Sequence, residues 1–365
     1  MMPCCHLAID ASVYRQPASG VQQAVLHAVQ AELEAGKDHF ETLLFGSLPG
    51  VEQCRQLALP AWAQSVAGRI FWQQFHLPGL LQKSGVELLH AQAYTMPLRC
   101  KIPVLLNVHD IIALEYPQYC SWQNVCHMRA LLPGSLRSAK VCLVSTRHVA
   151  QRLNQVLQIP YEKIELLPWG VDFQRFSRPC DVGELQLPER YFLFVGNLEP
   201  KKNLELLLQA YAQVAERSAC SLVIVGRAAW KSRRLLQKIR DWSGPGQILW
   251  LGRLEDKWLP GVYQKALAFV MPSLEEGFGL PVLESMAAGT AVIHSDQGAL
   301  CEVAAQKGLC FNVMKADELA KQMRIVSKNE NLRKELEEQG REHARKQSWQ
   351  KWGEGAVQIL KNMSR

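Results

Sequence analysis

The sequence predicts an α/β protein with two doubly wound domains, each built on a parallel sheet. Short apolar or β-branched runs alternate with longer segments of helical period, as strands and helices do along such a sheet. This alternation stops near residue 175 and starts again near residue 190. The chain has 365 residues, more than one hydrophobic core usually serves, so two domains are expected.

The first half of the chain supplies one series of strands and helices. Segment 20–36, GVQQAVLHAVQAELEAG, has apolar residues at helical spacing and ends at Gly36, a residue type that suits a helix end. These elements define a first domain over residues 1–175. Strands are predicted at 6–10, 40–46, 86–91, 103–110, 140–145 and 164–170.

The second half repeats the pattern and gives a second domain over residues 176–345. Its helical segments include NLELLLQAYAQVAERS. Segment 174–190 contains prolines and a glycine without periodicity, which predicts the linker between the domains. Strands are predicted at 191–197, 221–227, 248–253, 266–273 and 290–296.

The end of the chain predicts helices only. From residue 316 the sequence is rich in Lys, Glu, Gln and Arg and shows no strand pattern, which indicates three covering helices. The last, residues 346–365, is expected to pack back toward the first domain. Parallel α/β sheets bind ligands at the carboxyl ends of their strands, so we expect a site in a cleft between the two domains.

Composition narrows the class of protein. Hydrophobic residues make up 48% and charged residues 21%, an ordinary globular balance. The net charge of +7 is not concentrated in a basic stripe, which argues against a nucleic-acid partner. Eleven cysteines without a CxxC pair indicate free thiols in a reducing compartment. With no signal-like or membrane-spanning apolar segment, the sequence predicts a cytoplasmic protein.

Residues 275–284, EEGFGLPVLE, carry the clearest chemical signal. Gly277 and Gly279 permit backbone conformations and close approach that a Cβ forbids, and the helix start behind them offers unpaired N–H groups. Glu276 and Glu284 flank this turn, and carboxylates accept hydrogen bonds from sugar or ribose hydroxyls. Two alternatives remain from local physics alone, since Glu284 could complement the helix dipole and Glu276 could be solvated.

The context of this turn resembles a known family. Residues 266–303 closely resemble the donor-binding core of retaining GT-B glycosyltransferases of family four, also called glycosyl transferases group 1. The resemblance spans nearly the whole chain and implies the GT-B fold. Five further segments resemble family blocks in the same order: SGVQQAV, LLHAQAYTMPL, LNVHDIIALEYP, LLPWGVD and VGNLEPKKNLELLLQAY.

The resemblance implies roles for residues on the donor side. Glu276 is expected to contact the transferred sugar, and Glu284 the ribose of the nucleotide. Lys202 matches the family position that binds the donor diphosphate, although a Lys-Lys pair alone is usually a surface feature. The other expected donor contacts are Lys201, Asn197, Arg253, Gly277, Phe278, Gly279 and Leu280.

Two residues of the first domain also match family positions. His109, in NVHD, is expected near the reacting centre with Glu276 and Lys202 as the catalytic set, although a histidine that ends a strand can be purely structural. Gly20 lies in a loop expected to approach the phosphate. The chain departs from common family residues at Thr146, Trp169 and Asn197, which leaves acceptor contacts and donor preference open.

These matches predict a retaining hexosyltransferase that uses a nucleotide diphosphate sugar. The blocks most resemble bacterial mannosyltransferases of surface-polysaccharide and lipopolysaccharide assembly, which favours GDP-mannose and a glycan or lipid-linked acceptor. Alternatives are a nucleotide-sugar epimerase, a phosphorylase or a catalytically silent GT-B interaction protein. The continued presence of Glu276 and Lys202 argues against a silent protein.

Neither a cofactor nor a metal is expected. No D-x-D occurs in the sequence, so Lys202 and backbone N–H groups are predicted to neutralise the leaving diphosphate. Segment 69–83, RIFWQQFHLPGLLQK, has aromatic residues and basic ends and predicts peripheral contact with the inner membrane. The alternative for this segment is a helix packed on the first sheet.

Overall fold

The structure is a computed structural model that describes residues 5–16, 18–215 and 219–364. The chain forms two compact units. The first consists of Met1–Gly170 together with Trp349–Arg365, and the second of Val171–Ser348. Each unit contains one parallel sheet with helices between its strands.

The first unit has a seven-stranded sheet in the order β3-β2-β1-β4-β5-β6-β7, with all neighbours parallel. The strands are β1 Cys5–Asp10, β2 Phe40–Phe45, β3 Arg55–Leu57, β4 Leu88–Ala91, β5 Val104–Asn107, β6 Val141–Val144 and β7 Ile164–Leu166. The helices are α1 Gly20–Gly36, α2 Val66–Phe71, α3 Leu77–Lys83, α4 Ile112–Glu115, α5 Trp122–Ser138 and α6 Arg147–Leu157, with a π-helical turn at Trp72–His76 joining α2 to α3.

The second unit has a six-stranded parallel sheet in the order β10-β9-β8-β11-β12-β13. The strands are β8 Tyr191–Val195, β9 Ser221–Val225, β10 Ile248–Gly252, β11 Ala268–Met271, β12 Val292–Ser295 and β13 Leu309–Phe311. The helices are α7 Phe173–Ser177, α8 Leu204–Ala212, α9 Arg233–Arg240, α10 Leu259–Gln264, α11 Leu280–Ala288, α12 Gly298–Ala304, α13 Ala316–Lys328 and α14 Glu330–Arg345.

The last helix, α15 Trp349–Met363, belongs to the first unit and packs on α1. The two helices approach closely at Gly353, where a Cβ would lie 2.3 Å from the backbone oxygen of Ala31. Beside this point the rings of His27 and Trp349 stack at a centroid distance of 5.6 Å. Only glycine fits such a backbone contact, so α15 is fixed against α1 by shape.

The main strands follow the sequence prediction, and the differences have physical reasons. The strands β3 and β13, of three residues each, were not predicted. The predicted linker 174–190 is wrong, since this segment lies in the second unit and contains most of α7. Phe176 of α7 is buried with its ring against Tyr263, a packing contact that turn residues in the sequence do not show.

Candidate active site

The order of the second sheet places two loops side by side. Strands β8 and β11 are neighbours, and the chain leaves them toward opposite halves of the sheet, which makes their carboxyl ends a topological switch point. After β8 comes a 3₁₀ turn, Pro200–Lys202, and after β11 comes the loop that holds Glu276. The backbone N–H of Leu274 donates to the carbonyl of Lys201 at 2.7 Å, which ties the two loops together.

A buried ion pair joins these loops. Lys202 Nζ lies 2.5 Å from Glu276 Oε1, and Lys201 Nζ lies 3.8 Å from Glu276 Oε2. The side chains of Lys202 and Glu276 are only 11% and 8% exposed. Burial alone would raise the pKa of Glu276, but the two ammonium groups outweigh burial and hold this pKa below its usual value. Glu276 is therefore a carboxylate at neutral pH, flanked by two lysine side chains.

The glycine turn after Glu276 packs closely against the side chain of Leu300. Gly279 has φ of 99°, a conformation that favours glycine, and a Cβ there would lie 2.5 Å from Leu300 Cδ2. Gly277 and Phe278 are buried, and α11 begins at Leu280 with Gly279 as its N-cap. The structure thus presents the start of α11 next to the ion pair, where peptide dipoles favour anionic ligands.

Glu284 lies in the second turn of α11. Tyr263 Oη donates a hydrogen bond to Glu284 Oε2 at 3.0 Å. Burial raises the pKa of Glu284 to about 7, against the opposing effects of this hydrogen bond and of Arg175. Because the same burial and the neighbouring carboxylate raise the pKa of Tyr263 well above its usual value, the tyrosine remains a donor.

Two predicted donor contacts lie apart from one another. Asn197 follows β8 at the switch point, and its Oδ1 accepts from Arg227 Nε at 3.3 Å. Arg253 is exposed and follows β10, the edge strand two positions away from β8. The sheet order therefore places Asn197 after the strand that leads to Lys202, whereas Arg253 follows a strand two positions away.

In the first unit, His109 is buried just beyond β5. Its Nε2 lies 2.9 Å from the backbone oxygen of Gln92, and because a carbonyl only accepts, the proton is assigned to Nε2. Burial lowers the pKa of His109 to about 4, so the ring is neutral. Tyr94, with φ of 58°, places its ring edge-on to His109 at 5.0 Å.

A buried polar network lies behind His109 and was not predicted. His90 Nδ1 is 2.7 Å from Glu32 Oε2, and His90 Nε2 is 3.1 Å from Asn107 Oδ1. Asn107 Nδ2 donates to Gln92 Oε1 at 2.8 Å, which links this network to the residue whose carbonyl holds His109. The sequence feature that could have predicted this network is the presence of polar residues within the apolar runs VELLHAQ and PVLLN.

Gly20 begins helix α1. It is exposed, and no heavy atom lies within 4 Å of the position that a Cβ would take. The preceding Ser19 and the following Gln22 form a capping box, in which the N–H of Ser19 donates to Gln22 Oε1 at 2.8 Å. The helix start therefore does not need glycine for its own packing.

Segment 69–83 has two different faces. Trp72, Leu77 and Leu81 are buried in the core of the first unit, whereas Phe71 and Phe75 are 51% and 61% exposed. The packed-helix alternative thus describes only one of the two faces. Among the described residues, no helix combines the length and the apolar character needed to cross a bilayer.

The fold class follows from a solved structure. WaaG, a glycosyltransferase involved in lipopolysaccharide biosynthesis, superimposes with a TM-score of 0.76 at 17% identity, over 97% of this chain and 99% of that one. At this identity the likeness shows the fold alone. Together with the two parallel sheets, it confirms the predicted GT-B class.

The family follows from sequence comparison. Residues 22–175 match the family model described as Glycosyltransferase Family 4, and residues 181–343 match Glycosyl transferases group 1. The chain belongs to this glycosyltransferase family, as the resemblance predicted, and is a transferase enzyme.

Two relatives carry names that describe an activity. The O-antigen chain mannosyltransferase B of Escherichia coli is 29% identical over 72% of this chain and 71% of that protein. The O-antigen chain mannosyltransferase RfbU of Salmonella typhimurium is 30% identical over 58% of each chain. Both names describe mannosyl transfer in those proteins.

Proposed function

We propose that this enzyme is a retaining mannosyltransferase that moves mannose from GDP-mannose to a glycan or lipid-linked acceptor in surface-polysaccharide or lipopolysaccharide synthesis. The observation that carries the proposal is the buried Lys202–Glu276 pair at the switch point of the second sheet. Buried opposite charges beside a glycine-backed helix start suit a ligand with both phosphates and hydroxyls. The names of the two relatives favour mannose.

Lys202 is proposed to bind the diphosphate. An ammonium group has three N–H donors, so Lys202 can keep its contact with Glu276 and still donate to phosphate oxygens. As the bond to the sugar breaks, negative charge grows on the diphosphate, and a fixed ammonium in a buried site stabilises this charge. Lys201, whose Nζ lies 3.8 Å from the other oxygen of the same carboxylate, is proposed to add a second positive charge to the donor site.

The two glutamates are proposed to bind different parts of the donor. Glu276 is a carboxylate at neutral pH and accepts hydrogen bonds from the hydroxyls of the transferred sugar. Glu284 accepts from the ribose hydroxyls, and Tyr263 holds its carboxyl group from the other side. We assign no protein nucleophile, since transfer with retention can proceed on one face of the sugar.

For the first unit we propose that His109 contacts the donor sugar and that Gly20 contacts the phosphate, as the family resemblance implies. With its proton on Nε2, the neutral His109 ring has its acceptor nitrogen at Nδ1. A neutral imidazole adds no positive charge, so it suits a hydroxyl better than a phosphate.

The experiment is a thermal-shift screen of GDP-, UDP- and dTDP-sugars, followed by transfer assays with the sugars that bind. A ligand that binds only the folded protein raises Tm, and we expect the largest rise with GDP-mannose. The rise should disappear in Lys202→Ala and persist in Lys238→Ala, whose lysine forms an exposed pair with Glu205 in the same unit. A rise with UDP-glucose alone contradicts mannose transfer, and no rise with any nucleotide sugar contradicts the assigned site.

A contact with the membrane surface is a second proposal, and the exposed aromatic cluster favours it. Trp62 packs against Phe71 with ring centroids 6.1 Å apart, and Phe71 against Phe75 at 4.8 Å. Aromatic side chains of this kind insert at lipid interfaces. We expect co-sedimentation with anionic vesicles that is lost in Phe71→Ser/Phe75→Ser and retained in Trp122→Ser, another exposed aromatic of this unit. Absence of wild-type binding contradicts the proposal.

A further inference from the structure

Three side chains of types that bind metals converge in the second unit, and none of them is a residue assigned to the donor. They are His294 on β12, Cys301 on α12 and Cys310 on β13, and their ligand atoms all lie within 4.8 Å of one another. His294 and Cys310 are direct partners in the parallel register of β12 and β13, so their side chains point to the same face of the sheet. Helix α12 is the crossover between these strands and brings Cys301 onto that face.

We propose that His294, Cys301 and Cys310 bind a thiophilic divalent cation, with Zn²⁺ as the best-fitting ion. Both cysteines are free thiols that solvent can reach, whereas His294 is buried beneath them. Two thiolates and one imidazole are soft ligands that favour Zn²⁺ over Mg²⁺ or Ca²⁺, which prefer oxygen. Three protein ligands leave the fourth tetrahedral position to water.

One ring nitrogen of His294 is held by the backbone. His294 Nδ1 lies 2.9 Å from the backbone oxygen of Ser295, and because a carbonyl only accepts, the proton is assigned to Nδ1. The lone pair is then on Nε2. Metal-ligating histidines typically donate their other ring N–H to such an acceptor, which fixes both tautomer and ring position.

The protons balance in a simple way. Each thiol that becomes a ligand loses one proton to solvent, so binding of one Zn²⁺ releases up to two protons and changes no oxidation state. The sequence did not show this site because its ligands are spaced by seven and nine residues along the chain and come from three elements. Their proximity arises from the strand register and the crossover helix.

The cluster lies behind the glycine turn of the donor side. Leu300, next to Cys301 on α12, is the residue that a Cβ at Gly279 would strike at 2.5 Å. Ser295, next to His294, donates from Oγ to the backbone oxygen of Ser273 at 2.7 Å. A bound ion would therefore fix α12 to β12 and β13 and stiffen the support of the turn without touching the donor.

The test is a titration of the reduced, metal-free protein with Co²⁺, whose thiolate charge-transfer and tetrahedral visible bands report the ligands directly. We expect one equivalent to bind and Zn²⁺ to displace it with loss of both bands. Cys301→Ser and Cys310→Ser should each weaken the thiolate band, and the double variant Cys301→Ser/Cys310→Ser should lose it. Cys126→Ser, which changes an exposed cysteine in the first unit, should keep it. Zn²⁺ should raise Tm in the wild type and in Cys126→Ser only.

Three outcomes overturn the proposal. The first is no thiolate band in the reduced wild type. The second is a band that survives in the double variant Cys301→Ser/Cys310→Ser, since the ligands would then lie elsewhere. The third is a Cys301–Cys310 disulfide in protein purified without reductant, together with a reduced form that takes up no Co²⁺, which would identify a redox pair instead. Circular dichroism of each variant verifies that a lost band does not reflect misfolding.

Discussion

Glu276 of the second unit and Glu32 of the first are both buried, and these two glutamates have different surroundings. Glu276 follows a central strand of the second sheet, next to two lysines and a glycine turn. Glu32 lies within α1 of the first unit and faces His90 and Gln92. A carboxylate is costly to bury in either place unless it has charged or hydrogen-bonding partners.

The two sites differ in how many hydrogen-bond donors the partners of the glutamate have available for a ligand. Both ring nitrogens of His90 face oxygen atoms, and Gln92 and Asn107 hydrogen-bond to each other, so the partners of Glu32 are used within the network; among the described residues, Glu32 Oε1 is the atom of this network that lacks a hydrogen-bond partner. Lys202 uses one donor on Glu276 and is a point charge beside a helix start. We infer that the Glu32 network stabilises the fold, whereas the Glu276 pair is retained for a charged ligand. The predictions below test this contrast, from the largest expected effect to the smallest.

Removal of Lys202 should give the largest loss of activity. Lys202→Ala should lower kcat by about 10²- to 10³-fold, because one fixed donor to developing negative charge contributes roughly 3 to 4 kcal/mol. Its affinity for the nucleoside diphosphate should fall as well, since the leaving group is its partner before and during the reaction. Glu276→Ala should instead lower kcat and leave nucleoside diphosphate binding nearly intact. Calorimetric titration of GDP, paired with steady-state kinetics, separates the two effects.

Lys238→Ala is the control, since its exposed pair with Glu205 should contribute little. If Lys202→Ala and Glu276→Ala both keep wild-type affinity and turnover, the donor site has been assigned to the wrong residues.

Disruption of the Glu32 network should destabilise the fold and spare the chemistry. His90→Phe keeps a ring of similar size but leaves the Glu32 carboxylate without its 2.7 Å partner, which should cost about 3 kcal/mol of unfolding free energy. The kcat of the folded fraction should change by less than about threefold, an effect under 1 kcal/mol. Urea denaturation and active-site-normalised rates measure the two quantities.

The matched control is His39→Phe, at an exposed histidine of the same unit. Unchanged stability with a hundredfold slower reaction would reverse our interpretation and make the network part of the catalytic site.

Ionisation of Glu284 should have opposite effects on stability and on donor binding: as pH rises, the free energy of unfolding should fall and the donor affinity should increase. Its pKa is raised by burial from 4.5 to about 7, so between these pH values the folded state binds more protons than the unfolded state. The free energy of unfolding therefore falls as pH rises through this window. Glu284→Gln removes the effect and should be more stable than wild type at pH 8 by roughly 2 to 3 kcal/mol, with little difference at pH 4.5. Thermal melts at both pH values measure it.

The same variant should bind the donor less tightly at pH 8, by about 1.5 to 3 kcal/mol, because it loses charge-assisted hydrogen bonds to ribose. GDP-mannose is the suitable ligand, since its phosphates do not titrate near pH 7. Wild-type affinity should rise with pH through 7, and Glu284→Gln should remove this rise. Glu162→Gln, at an exposed glutamate of the first unit, serves as control. If the affinity of the wild-type protein for GDP-mannose does not change with pH, Glu284 does not bind the donor.

The sequence predicted the parts of this molecule that local pattern determines. Strand and helix alternation gave both sheets, and the motif around Glu276 and Lys202 gave two side chains that the switch point brings to 2.5 Å. Contacts set by tertiary packing were not visible. Glu32 and His90 are 58 positions apart, and His294 meets Cys310 only through strand register. Arg253 stays a prediction from the family resemblance, and the sequence did not reveal that its strand lies at the sheet edge.

The smallest expected effect is that of chelation. If Lys202 and the start of α11 neutralise the leaving diphosphate, the reaction needs no divalent ion, and the rate in excess EDTA should stay within about twofold of the untreated rate, less than 0.5 kcal/mol. EDTA would also empty the proposed Zn²⁺ site, so the assay should be repeated with Cys301→Ser/Cys310→Ser, in which that site is absent. A modest loss in wild type but not in this variant would arise from the cysteine site and leave the diphosphate assignment intact. A complete loss in both, restored by Mg²⁺ or Mn²⁺, would show that a hard cation and not Lys202 carries the leaving group.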